Sequence, residues 1–276
     1  KKVNEQCKQM VPAVRPIFTS GLVEGNYVVT AEIPGIDITE RPCYYGGVGR
    51  MKGSYIRSGD SDEPMSDYEI YSYEAFRKKY QDDIRVNERA DMTAIEIPKM
   101  EHYVDTIKDR NSKLAKLTDE EIKRFLNLCV DGKPTLVCTL LFSIYPQMFY
   151  PQYTINAMVV PGYEKGEVTK EGARFLDNVR IEGTIDDMVG LTMKFLIKNM
   201  KIQTIVDSKT GERRDKTEYP VVALREVILN AIIHRDYSIH TEAMPIEVIL
   251  YKDRIEIRNP GGLYGRMSLD TLGKTQ

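Results

Sequence analysis

The sequence predicts an α+β protein of two domains joined by a helical stretch. Three observations carry this. The chain has 276 residues, enough for two domains of ordinary size. Short β-branched and aromatic runs, broken by Gly and Pro, alternate with helical patterns in residues 1–74 and again in residues 134–276. The stretch between, residues 75–133, reads as mainly helical and serves as a connector.

The elements follow in order. Residues 1–10 suit the end of a helix. Tyr27 to Ile33 is a strand stopped by Pro34-Gly35, and Gly53 to Arg57 is a second, stopped at Gly59. Tyr68 to Arg77 leaves the first domain as a helix or connector. In the middle stretch Thr93 to Ile97 is a candidate short strand, and Pro98 sits where a first helical turn begins. Thr118-Asp-Glu-Glu121 is a capping box, with Gly132 read as the stop signal that follows it. From Thr135 onward strands and helices alternate. Thr135 to Phe142 reads as a buried strand and Ala157 to Val160 as another. Thr184 opens a helix running to about Met200, with Asp186 and Asp187 against its positive end. Asp207 to Lys216 is a polar turn. A strongly apolar helix is entered through Pro220, and Ile246 to Tyr251 pairs with Arg254 to Arg258 through a turn at Lys252-Asp253.

Composition bounds the function. Hydrophobic residues make up 42% and charged residues 29%, ordinary for globular protein, and the net charge is −2. A nucleic-acid surface must then be a local patch, not a global field. Four cysteines, Cys7, Cys43, Cys129 and Cys138, lack C-x-x-C spacing. This suits a reducing cytosol and argues against a zinc ribbon or a disulfide framework. No apolar run reaches spanning length and no signal peptide is visible, so a cytoplasmic protein without a membrane partner is expected. The chain reads as a fragment at both ends. There is no G-x-x-x-x-G-K, which argues against a helicase motor, and no G-x-S-x-G or H-E-x-x-H.

The chemistry concentrates in Pro220-Val-Val-Ala-Leu-Arg-Glu226-Val-Ile-Leu-Asn230-Ala-Ile-Ile-His234-Arg-Asp236 and, after the hairpin, in Asn259-Pro-Gly261-Gly262. Glu226 and Asn230 are four apart on a helix and share a face. On a mostly buried helix, a carboxylate beside a carboxamide needs a reason. A nucleotide is one: Glu226 can orient a water, Asn230 can hold a magnesium ion, and Gly261 and Gly262 let the backbone approach a ligand. The competing reading is a helix whose polar residues face solvent. His234 suits the helix C-terminus, where as a cation it would be favoured. The His-Arg-Asp run is not that of a protein kinase, because the asparagine and the D-F-G that should follow are absent.

Glu-x-x-x-Asn on a helix, then a strand ending in a glycine loop, resembles the ATP site of the fold shared by gyrase B subunits, sensor histidine kinases and mismatch-repair ATPases. The wording "ALREVILNAIIHRDYS" and "DRIEIRNPGGL" is similar to the C-terminal half of bacterial transcriptional regulators with a Schlafen-type AlbA-like domain, often labelled RecG-related or divergent ATPases. "NYVVTAEIP" and "GSYIRSGDSDEPMSDYEI" resemble the second half of that AlbA-like domain. The resemblance covers most of the chain and is specific at its two ends. It implies residues 1–74 as the C-terminal part of an AlbA-like domain. It implies residues 134–276 as a mixed α/β sandwich of the gyrase and histidine-kinase kind, ending before the lid. It further implies Glu226 as the catalytic residue and Asn230, His234, Asp236, Asn259, Gly261 and Gly262 as cofactor-binding. Asn230 would hold the metal, and the cofactors would be ATP and Mg2+. Active relatives place an aspartate where this chain has Asn259. An asparagine carbonyl can still accept from an adenine amino group, but the charge is gone. Pro-Gly is also ordinary turn chemistry.

A third feature lies between Arg41 and Gly59, where no acid occurs. Arg41, Arg50, Lys52 and Arg57 are interleaved with tyrosines including Tyr55, and Gly46, Gly47 and Gly49 suggest a mobile loop. Cations meet phosphates and tyrosines stack on bases, so these residues are the candidate contacts to DNA or RNA. An ordinary solvated hairpin is the competing reading. The function expected is a transcriptional regulator that binds nucleic acid through its first domain, with a degenerate nucleotide- or ligand-sensing second domain. The alternatives are an active Mg-dependent ATPase coupled to DNA transactions and a non-catalytic scaffold that dimerises; a homo-oligomer is compatible with each.

Overall fold

The structure, a computed structural model, describes residues 1–206 and 213–262. Two compact units divide the described chain, residues 1–80 and residues 81–262.

The first unit is built from short elements. Helix α1 (Lys2–Lys8) leads into β1 (Met10–Val11); β2 (Ile17–Val23) and β3 (Asn26–Glu32) form an antiparallel ribbon exposed along its whole length. Then come β4 (Tyr44–Tyr45), which pairs with β1, the single turn α2 (Arg50–Gly53), the hairpin β5 (Tyr55–Ser58) and β6 (Ser61–Pro64), and helix α3 (Asp67–Lys78). Ser66 caps α3 reciprocally with Glu69. Gly46 and Gly47 lie in a turn between β4 and α2, with the Tyr45 ring 2.6 Å from where a Cβ on Gly47 would lie.

The second unit opens on helices α4 (Ile97–Arg110) and α5 (Asp119–Phe125). Pro98 stands in the first turn of α4, and Thr118 and Glu121 form the expected capping box on α5. Strands β7 (Cys129–Val130) and β8 (Lys133–Pro134) follow as a tight hairpin. Its turn residues Asp131 and Gly132 have φ of 49° and 75°, the two-residue geometry that matches strand twist. Gly132 therefore closes a hairpin and does not stop a helix.

Two expected strands are absent. Residues Met92–Ala94 make a 3-10 turn capped by Asp91, and only one bridge, Ile95 to Ser143, has strand character. The run after Thr135 is helix α6 (Leu136–Phe142), whose residues Leu136, Cys138, Thr139, Leu140 and Phe142 are buried. A short run that is apolar apart from Thr135 and Thr139 carries no clear period, so the pattern could not separate strand from helix. The local signal is Thr135, whose Oγ1 accepts from the Cys138 N–H at 3.3 Å as an N-cap.

The remaining elements form a two-layer sandwich. Strands β9 (Ile155–Val159) and β10 (Asp177–Ile181), helix α7 (Ile185–Asn199), the hairpin β11 (Ile202–Val206) and β12 (Arg213–Thr217), helix α8 (Val221–Ile233), and strands β13 (Ile246–Leu250) and β14 (Ile255–Arg258) follow in order. The main sheet runs β10-β9-β13-β14, with β9 and β13 parallel and the outer pairs antiparallel. Part of the polar turn expected at Asp207 to Lys216 lies outside the described residues. Thr184 and Asp187 cap α7 reciprocally, with Thr184 Oγ1 donating to Asp187 at 2.7 Å. These bonds hold the Asp187 carboxyl below the usual carboxylate range.

The core lies between the sheet and the two helices. Ile155, Ala157, Ile246 and Val248 of the sheet meet Val189, Leu196, Ile228 and Ile232 of α7 and α8. The mixed α+β architecture with a sandwich in its second half is the one the sequence predicts.

Candidate functional site

Helix α8 carries its buried stripe at Leu224, Ile228, Ala231 and Ile232, the spacing of one helix face. Glu226 and Asn230 lie on the opposite, exposed face. The helix is also more open than its composition suggests, with Val222 82% and Val227 49% exposed. The expectation of a mostly buried helix is therefore corrected. Glu226 and Asn230 do share a face, about 6 Å apart along the axis from the helical rise, and among the described residues neither side chain meets a protein donor or acceptor.

The turn after α8 is tied to the loop after β14. His234 ends the helix, its N–H donating to Asn230 O at 2.9 Å, with its side chain exposed. The Asp236 N–H donates to Pro260 O at 3.1 Å, and Asp236 Oδ1 accepts from the Ser238 N–H at 2.8 Å. Gly261 has φ of 121° and a Cβ there would lie 2.8 Å from Asp236 Cβ. The structure thus brings Asp236 and the Pro260–Gly261 segment together at the C-terminal end of α8. No bond among the described residues joins Glu226 or Asn230 to Asn259, Gly261 or Gly262.

That packing sets a requirement for glycine. Gly261→Ala should cost about 1–3 kcal/mol, because a side chain is strained at this φ and would press on Asp236. Gly262→Ala, with nothing within 4 Å of its added carbon, should stay within about 0.5 kcal/mol of the parent. Urea unfolding of both variants checks the pair; equal losses would rule out the packing argument.

Asn259 occupies the bend between β14 and this loop. Its Oδ1 is buried and has no donor among the described residues. A buried acceptor left unpaired costs about 1–3 kcal/mol, so it calls for a partner.

Sequence reasoning passed over Arg235, which proves the organiser of the turn. Only 6% exposed, it donates through Nη1 to Asp236 O at 2.7 Å and through Nη2 to Thr241 O at 2.9 Å and Met244 O at 2.7 Å. Its guanidinium lies 4.1 Å from the Tyr153 ring centre and 5.3 Å from that of Tyr237. Burial lowers its pKa, opposed by the two tyrosines. Thr241 Oγ1 and the Tyr237 hydroxyl add bonds to Asp236 O and Ile232 O. The available signal was an arginine directly after an apolar helix, where carbonyls lack intrahelical partners.

In the first unit the basic residues are less available than their spacing suggests. Arg50 lies 3.7 Å from Glu74 and 5.8 Å from the Tyr44 ring centre, and Arg57 pairs with Asp62 at 3.1 Å across the β5–β6 hairpin. Acids from beyond the acid-free stretch therefore reach into it. Arg41 and Lys52 are exposed, with Arg41 Nε donating to Ile36 O at 3.3 Å. Tyr55 is 52% exposed.

Among the described residues no three His, Cys, Asp or Glu side chains gather as metal ligands, and no helix is long and apolar enough to cross a membrane. A family model described as "Putative ATP-dependent DNA helicase recG C-terminal" matches residues 243–276. The match takes in β13, β14 and the loop at Asn259–Gly262, and leaves α8 outside. No curated protein matches the chain. Among solved structures, the DIP2311 protein from Corynebacterium diphtheriae is similar at 20% identity and a TM-score of 0.47, over 93% of this chain and 47% of that one. The chain spans about half the length of that protein.

Proposed function

We propose that residues 134–276 bind a purine nucleotide in the manner of the gyrase and histidine-kinase ATP site, and that residues 1–74 contact nucleic acid, in a transcriptional regulator of the Schlafen AlbA-like kind. The observation that carries the nucleotide reading is the buried Oδ1 of Asn259, which has no donor among the described residues. It sits in the loop matched by the family model, and an adenine amino group is a donor that would satisfy it. Gly261, pressed against Asp236, fixes the backbone beside it. Bound magnesium ATP would supply the phosphoanhydride and the charge-neutralising ion. Asn230 would hold the ion through its carbonyl oxygen, and Glu226 would accept a hydrogen bond from the attacking water.

Calorimetry on the intact protein with ATP and magnesium tests this. Saturable heat is expected. Asn259→Leu, which removes the acceptor, should weaken binding about tenfold, the worth of one hydrogen bond. Asn259→Asp should tighten it by restoring the charge. No heat for the parent and for Asn259→Asp alike would leave α8 as architecture.

For nucleic acid, the supporting observation is the exposure of Arg41, Lys52 and Tyr55 on one short stretch. Exposed ion pairs such as Arg57 with Asp62 are worth about 0–1 kcal/mol, so a phosphate can displace the acid. Removing Arg50, Lys52 and Arg57 together should lower the salt slope of DNA binding by about 0.9 for each phosphate no longer neutralised. An unchanged slope would move the interface away from this stretch.

A further inference from the structure

Two of the four cysteines stand together in the second unit, apart from the nucleotide-site residues. Thr135 joins them. Its N–H donates to Leu128 O at 3.0 Å and its Oγ1 to Asn127 O at 2.7 Å, which ties the start of α6 to the residues just before Cys129. Cys138, in the first turn of α6, is fully buried in the apolar cluster against which Cys129 packs. Cys129 is half-buried, lies 3.6 Å from Met92 Sδ, and borders a cavity of about 680 Å³ that also exposes Lys123 and Arg124. One thiol is thus open to a small reagent, and the other is held behind it where no reagent reaches.

We propose that Cys129 and Cys138 form a peroxide-oxidisable dithiol, with Cys129 the attacking thiolate and Cys138 the resolving thiol. Hydroperoxides are the oxidant class. The Cys129 sulfur attacks the outer oxygen of the hydroperoxide; an S–O bond forms, the O–O bond breaks, and the departing alkoxide takes a proton to leave as alcohol, or as water from hydrogen peroxide. Cys138 then gives up its proton and attacks the sulfenic sulfur. An S–S bond forms, the S–O bond breaks, and the departing hydroxide takes a proton to become water. The dithiol loses two electrons and the hydroperoxide gains them.

Electrostatics favour this order. The neighbouring Cys138 thiol, with Lys123 in support, lowers the Cys129 thiol to about 7 against burial and Glu120, while Cys129 and burial hold Cys138 up. A thiolate is the nucleophilic form, so Cys129 reacts first. Oxidation of Cys129 removes the negative charge that made the Cys138 proton hard to lose. The second thiol is thereby activated only after the first has reacted. A low-pKa accessible cysteine beside a resolving partner is the arrangement that favours selective oxidation.

Hydrogen peroxide at limiting dose, followed by peptide mass analysis of the intact chain, tests the proposal. The expected product is a Cys129–Cys138 cross-link, lacking two hydrogen atoms and restored by dithiothreitol. Cys129 should be consumed about tenfold faster than Cys43, whose thiol burial pushes up. Cys138→Ala should leave Cys129 as a sulfenic acid trapped by a 1,3-dione, and Cys129→Ser should abolish both products. The cross-link is read on the unaltered chain, so the result does not depend on either variant folding. Oxidation of Cys7 or Cys43 ahead of Cys129 would overturn the proposal, as would a Cys129 sulfenic acid persisting in the unaltered chain without cross-linking.

Discussion

Arg235→Leu lowers the stability of the second unit by about 3–5 kcal/mol, because backbone carbonyls around the turn lose their donors and a buried acceptor left unpaired costs about 1–3 kcal/mol. Three backbone carbonyls, those of Asp236, Thr241 and Met244, lose charge-assisted donors at once. Bonds to charged groups contribute about 1.5–3 kcal/mol each but do not add in full. Leucine fills part of the volume and keeps apolar packing against Tyr153, which limits the loss. Against a total of about 5–15 kcal/mol for an ordinary domain, the change is severe. With no tryptophan in the chain, urea titration followed by far-ultraviolet circular dichroism is the suitable readout. Arg235→Lys should fall between, since an ammonium keeps the charge but lacks the planar fork that reaches carbonyls on two sides. A leucine variant within about 1 kcal/mol of the parent would show that the turn is held by other interactions.

Glu226→Ala has the largest effect expected on chemistry. If the intact protein hydrolyses ATP, turnover falls by about 10²–10⁴, the usual worth of a positioned general base. Nucleotide binding is spared, because in the proposed role the carboxylate would orient water and would not hold the nucleotide. Stability is spared too: Glu226 is exposed on the face of α8 away from the core, where substitutions usually stay within about 0.5 kcal/mol. The separation of turnover from binding and folding is what makes the variant informative. Steady-state hydrolysis with calorimetry on the same preparation checks it. Unchanged turnover would remove Glu226 from the chemistry while leaving the Asn259 prediction standing.

The pairing of α8 with the loop after β14 illustrates what was legible. Pro220, the strongly apolar run after it, and the hairpin at Lys252-Asp253 announce both elements, and the structure has them at Val221–Ile233, Ile246–Leu250 and Ile255–Arg258. What could not be read was the direction of α8. The sequence offers apolar residues nearly all round, and only packing selects which stripe faces the sheet. That choice buried Ile228 and Ile232 and left Val222 and Val227 outside, turning Glu226 and Asn230 outward with them.

The sequence by itself determined the features governed by neighbours a few residues apart. The capping box at Thr118, the helix start at Thr184, the proline opening of α4, and the two-strand hairpin near Lys252-Asp253 all depend on hydrogen bonds or dihedral preferences spanning four residues or fewer. Only the tertiary structure decided the rest. It made Leu136–Phe142 a helix, because a run that is apolar almost throughout has no clear period to declare. It paired β9 with β13 in parallel across about ninety residues. It carried Glu74 to Arg50 and Cys138 to Cys129, and it left Asn259 Oδ1 without a donor among the described residues. The physical reason is common to all five. Local rules fix the energy of a backbone conformation, whereas burial and charge pairing depend on which distant segment arrives, and that is set by the packing of the whole core.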